Sequence, residues 1–170
     1  MASQLQEPAS STTVLGQDLP PPNHAEQRLK FVPLPTPLHT SQPSTRTITV
    51  DRESAYPCRR CLADGHVGEQ MLLLAYDPFQ GDSPYRGAGP IFVHKEPCTP
   101  YQGMTVPEQQ RQRLLSVRGY DHRHMMVNAE AFEGIQLQEA AGQMLQNPEV
   151  EYLHVHNAKQ GCFAVRIERG

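Results

Sequence analysis

Two clusters of side chains in this chain have the types and spacing for chemistry. The first is Cys58-x-x-Cys61, followed downstream by His94-x-x-x-Cys98. Two thiolates separated by two residues can take one edge of a tetrahedral zinc ion, and a histidine with a third thiolate can complete it. The same Cys-x-x-Cys pair could serve redox chemistry, with Arg59 and Arg60 favouring the thiolate form. A thioredoxin-type pair should lie between a strand and a helix. Here a turn and then a strand follow, which argues against that mechanism.

The second cluster is His154-Val155-His156-Asn157-Ala158-Lys159-Gln160-Gly161-Cys162. On a strand, positions 154 and 156 project to the same face. Two imidazoles there could act as general acid and base, because histidine titrates near neutral pH. Asn157 could orient a carbonyl and Lys159 could hold an anion. Strand alternation turns Leu153 and Val155 to the opposite side, into the core. Cys162 starts the return strand and is expected to pack. A third group, Arg118 to His124, supplies Arg118 and Tyr120 on one strand face. Arg118 there could grip a carboxylate or phosphate with two parallel hydrogen bonds. Asp121, His122 and His124 read as a polar turn, and most of the scattered arginines, with small clusters at Arg59-Arg60 and Arg118 to Arg123, as solvated surface.

The elements that must position these groups are short strands. Leu29 to Leu34 opens the fold as an edge strand, since the prolines at 33, 35 and 37 bar a central one. Thr45 to Val50 alternates and is β-branched. Gln70 to Tyr76 and Pro90 to His94 are apolar runs of buried-strand length, joined by a long Gly/Pro loop. That loop has no phosphate-binding signature, because no Gly-Lys-Ser/Thr closes it and a strand follows it. Glu108 to Leu115 suits one or two helical turns. Leu115 to Tyr120 and Met125 to Asn128 suit two strands around an Asp121 turn. One helix is expected over residues 135–146, with Ile135, Ala141, Met144 and Leu145 on its buried face and Asn147-Pro148 as its stop. Glu151 to His156 and Cys162 to Glu168 form a hairpin closed by Gly161. Strands do not alternate regularly with helices, so the expected class is α+β: a single domain over 28–170, mainly antiparallel, with one main helix and long loops.

Composition narrows the function classes. Residues 1–27 contain no Lys, Arg or aromatic residue, and half of the 16 prolines precede position 44. Such a segment cannot bury enough apolar surface to order itself, so 1–27 is expected to be a disordered Pro-rich tail. The net charge of −3 comes with no basic stripe, so no nucleic-acid partner is expected. No run of about 18 apolar residues implies a membrane span. The start lacks a signal-peptide pattern, and a cytoplasmic location with reduced cysteines is the expectation.

The motif order is also familiar. Tyr56-Pro57-Cys58-Arg59-Arg60-Cys61-Leu62, Gly68-Glu69, Leu72-Leu73-Leu74-Ala75-Tyr76, Ser83-Pro84-Tyr85, Gly89-Pro90-Ile91-Phe92-Val93-His94, Cys98, Arg118-Gly119-Tyr120-Asp121 and the 154–162 string resemble the family catalogued as domain of unknown function 1203. The resemblance spans about residues 29–169 and implies one compact domain. It carries no activity over.

Three functional expectations follow. The leading one is a small polar or anionic ligand in a cleft lined by His154, His156 and Asn157 with Arg118 and Tyr120 opposite. The second is a zinc-stabilised interaction module using Cys58, Cys61, His94 and Cys98. The third is a non-catalytic protein that acts through protein partners, its tail serving as a tether.

Overall fold

The computed structural model describes residues 28–35, 43–79 and 81–170. The tail expected over 1–27 lies outside the described residues. Two antiparallel sheets form the framework of the described residues. The first has five strands: β1 (Leu29–Val32), β5 (Leu114–Tyr120), β6 (Met126–Glu133), β7 (Tyr152–Asn157) and β8 (Phe163–Arg169), in the order β1-β8-β7-β5-β6. The second has three: β2 (Arg46–Thr49), β3 (Gln70–Tyr76) and β4 (Gly89–His94), in that order. Helix is confined to α1 (Glu108–Arg111), a 3-10 turn over Gly134–Gln136 and α2 (Leu137–Gln146). The class is therefore largely β with one real helix, a correction to the expected α+β balance.

Most strands fall where alternation and β-branching place them. β1 is an edge strand, as its following prolines require, and Pro90 sits in β4, an edge of the smaller sheet. β6 runs to Glu133, well beyond the expected Asn128, because its partner β5 offers a ladder as far as Leu114. The helix begins two residues later than expected. Ile135 falls in the 3-10 turn and is 69% exposed, while Leu137, Ala141, Met144 and Leu145 form the buried stripe. Their i, i+4, i+7, i+8 spacing is the helical one, so the frame starts at Leu137 rather than Ile135. Gly134 explains the delay. A Cβ there would collide with the Gln110 carbonyl oxygen, so the chain passes α1 in close backbone contact before the helix can start.

β7 is the central strand of the larger sheet, and all six of its residues are buried. One face gives Leu153 and Val155 to the core under α2, together with Leu115, Val117, Val165 and Ile167. The other face carries Tyr152, His154 and His156. It meets Phe79 of the loop after β3, and Phe163 of β8. A second core lies under the smaller sheet and joins Val50, Met71, Leu74, Ile91 and Val93 to Cys58 and Phe163. Phe163 thus links the two layers.

Candidate metal centre and its neighbouring cavities

The loop from Pro57 to Asp64 is tied to the smaller sheet at several points. Pro57 bridges Asp64, Cys58 bridges Phe92 in parallel, and the Arg59 N–H donates to the Phe92 carbonyl at 3.0 Å. The Cys58 N–H donates to the Ala63 carbonyl, and Leu62 turns the chain with φ of 55°. This tight turn brings Cys58 and Cys61 together against His94, the last residue of β4. Cys98 arrives from the loop beyond, itself beside the Arg60 segment through the Tyr101 N–H to Arg60 carbonyl bond.

One ligand atom from each of Cys58, Cys61, His94 and Cys98 lies within 4.8 Å of every other. Cys58 Sγ and Cys98 Sγ are 3.8 Å apart, and Cys61 Sγ and His94 Nδ1 are 3.5 Å apart. Zinc–ligand bonds of roughly 2.3 Å to sulfur and 2.0–2.1 Å to nitrogen give tetrahedron edges of about 3.8 Å for S···S and about 3.6 Å for S···N. Two independent edges thus match the size of a zinc tetrahedron.

The surroundings suit thiolates. The backbone N–H groups of Arg60 and His94 both donate to Cys58 Sγ at 3.4 Å, and Arg60 Nη1 lies 3.8 Å from Cys98 Sγ. His94 turns Nδ1 to the thiols and Nε2 to Glu69 Oε2 at 3.4 Å, the carboxylate–histidine pairing that orients a metal-bound imidazole. The Cys58 thiol is held down to about 4, first by a hydrogen bond from the Cys61 thiol and then by backbone N–H groups, against the cost of burial. Cys61 is pushed up, first by that hydrogen bond and then by burial and the neighbouring sulfur charge. Cys98 is raised by burial and by Cys58. The crowded sulfurs cannot all ionise together unless a cation joins them.

The family model described as protein of unknown function (DUF1203) covers residues 55–169. The chain belongs to the DUF1203 family. The matched span holds all four candidate ligands and both β7 histidines. Searches of curated proteins and of solved structures returned no match. No described helix is long and apolar enough to cross a membrane.

Four of the remaining residues singled out in this DUF1203 member line three separate cavities. His154 lines one of about 510 Å³ with Tyr152, His124 and Arg166. Arg118 and His156 line one of about 200 Å³, and Asn157 lines one of about 450 Å³. Tyr120 is packed among the rings of Phe79, Tyr85, Tyr152 and His154, and Lys159 is exposed on the hairpin turn. His154 is 1% exposed, and neither ring nitrogen has a hydrogen-bond partner. Burial holds it down to about 3, with help from His156 and Arg166. His156 is held down to about 4, mainly by burial and then by Arg118. Both imidazoles are neutral at pH 7.

Arg59 and Arg60, expected on the surface, are buried, Arg59 to 1% exposure. Arg59 Nε donates to the Phe163 carbonyl at 2.7 Å, Nη1 to the Pro57 carbonyl, and Nη2 to Cys162 Sγ at 3.1 Å. Sequence reasoning passed over Glu69 behind His94 and the contact of Arg59 with Cys162. Neither has a spacing signal, because each meets its partners through folding of distant segments.

Proposed function

We propose that this DUF1203 domain is a zinc-stabilised module, with one zinc ion held by Cys58, Cys61, His94 and Cys98. The observation that supports this reading is the mutual approach of four ligand atoms within 4.8 Å from two distant segments. Four protein ligands leave no open position for substrate, which marks a structural rather than catalytic site. The ion would clamp the Cys58 loop to the end of β4 and to the loop after it. Arg60, buried beside Cys98, would offset the net negative charge of three thiolates on a divalent ion.

The test is metal analysis of the purified full chain, with one zinc per chain expected and a lower melting temperature in chelator. Replacement of zinc by Co(II) should give the thiolate charge-transfer and intense d–d bands of a tetrahedral sulfur-rich site. Metal content far below one per chain, together with chelator-insensitive melting, would overturn the proposal.

A second reading is a small-anion site. It rests on Arg118, which is half-buried, has no carboxylate partner among the described residues, and shares the 200 Å³ cavity with His156. A guanidinium in that position fits a carboxylate or phosphate. Loss of ligand-induced thermal shifts by small carboxylates and inorganic phosphate in Arg118→Gln would support it, and their absence in the unaltered chain would count against it.

A further inference from the structure

Cys162 is the thiol that the metal centre does not use. It lies at the end of the β7–β8 turn, just after Gly161, whose φ of 73° needs glycine. Its Sγ accepts hydrogen bonds from Arg59 Nη2 at 3.1 Å and Asn157 Nδ2 at 3.4 Å. Arg59 has no carboxylate partner among the described residues, and its other contacts are neutral carbonyls. The Arg59 guanidinium is buried, and the Cys162 sulfur is the side-chain group it meets at hydrogen-bond distance. Two N–H donors aimed at one sulfur would stabilise the charge it carries in the attacking state.

Cys162 also lines both the 450 Å³ and the 200 Å³ cavities. The Arg59 and Asn157 donors stand on the larger side. On the smaller side stand Arg118 and His156. His156 is 8% exposed, and its Nδ1 must donate to the Gly161 carbonyl oxygen at 3.0 Å, because a carbonyl can only accept. Its Nε2 is therefore an acceptor, and no partner for it exists among the described residues. One small cavity thus presents an anion anchor, an imidazole nitrogen without a partner among the described residues and a thiol held by two donors.

We infer that Cys162 is a nucleophile acting on a small carboxylate that carries an electrophilic carbon, with Arg118 anchoring the carboxylate. The anchor rests on the small-anion reading given above; the nucleophile stands on Arg59 and Asn157 alone. Iodoacetate and its neutral analogue iodoacetamide probe both parts. In each case the sulfur pair forms a new S–C bond, the C–I bond breaks and iodide leaves with its electron pair. Any thiol proton passes to water.

Alkylation of Cys162 in the full chain is followed by site-resolved mass spectrometry, which separates it from the other three cysteines. The ratio of iodoacetate to iodoacetamide rates is referenced to 2-mercaptoethanol. A ratio at Cys162 about tenfold above that reference is expected for a charge-assisted guanidinium contact. Arg118→Gln should return the ratio to the reference value, and Asn157→Ala should slow both reagents. Alkylation without carboxylate preference, or a preference that survives Arg118→Gln, would overturn the anchor and the small-anion reading with it. A Cys162 that both reagents leave untouched while 2-mercaptoethanol reacts would overturn the nucleophile.

Discussion

His154 makes the fold sensitive to acid, and the size of that effect can be worked from its surroundings. The imidazole is 1% exposed, both nitrogens lack partners, and the rings of Phe79, Tyr120, Tyr152 and Phe163 stand within 5.3 Å of its centroid. Burial lowers its folded-state value from the ordinary 6.5 to about 3. Above pH 6.5 the ring is neutral in both folded and unfolded chains, so it adds no pH dependence. Below that, the unfolded chain takes up a proton that the folded chain refuses, and stability falls until pH reaches about 3. Each pH unit in this window costs about 1.4 kcal/mol, so His154 alone should cost about 2 kcal/mol between pH 7 and pH 5. Replacement by Phe isolates this contribution. His154→Phe removes two unpaired buried nitrogens, a gain of about 1–3 kcal/mol, and adds volume at a comparable cost of about 1–3 kcal/mol. The net change at pH 7 should be small, and neither contribution depends on pH. The informative quantity is the stability difference between wild type and variant at pH 7, 6 and 5. It should be measured by urea unfolding with far-UV circular dichroism, because the chain has no tryptophan. Metal and reductant are held constant, so acid effects on the thiols are common to both proteins and cancel. The variant should gain about 2 kcal/mol on wild type from pH 7 to pH 5. A difference that stays flat across this range would refute the reasoning, since it would mean that the folded protein accommodates the imidazolium.

Glu69→Gln should weaken zinc binding about tenfold by withdrawing the carboxylate behind His94 Nε2, as read by competition with a chromophoric chelator. Equal affinity in the two proteins would show that Glu69 does not orient the ligand. Gly134→Ala should destabilise the domain by about 2–4 kcal/mol, because the added methyl meets the Gln110 carbonyl oxygen and strains the 2.8 Å hydrogen bond from the Gly134 N–H to the Arg113 carbonyl. A urea midpoint indistinguishable from wild type would contradict that close packing.

The two sites are linked by adjacent residues. Cys58 and Arg59 are consecutive, so the turn that offers a ligand to the metal also carries the guanidinium that reaches Cys162. This connection is invisible in one dimension, where Arg59 and Cys162 are separated by 103 positions. Arg59 among polar neighbours in a Pro-bounded turn reads as surface. In the fold it reaches Phe163 and Cys162 of the β8 segment and is buried.

The sequence by itself determined the local elements. Alternation and β-branching set β2, β7 and β8 and apolar runs set β3 and β4, each to within a residue or two, prolines placed β1 at an edge, and glycine closed the hairpin. It also determined that His154 and His156 share a face, because a strand's side chains alternate whatever packs against them. It paired Cys58 with Cys61 and supplied His94 and Cys98 as further ligands. The tertiary structure alone decided that these two segments meet within 4.8 Å, since β3 must cross the small sheet before β4 can return. It also decided that β7 is the centre of a five-stranded sheet, which converts a polar strand face into a buried one and divides the expected cleft among three cavities. Local periodicity depends on covalent geometry and is written residue by residue. Burial of His154 and Arg59 depends on which distant strands become neighbours, a property of the whole core.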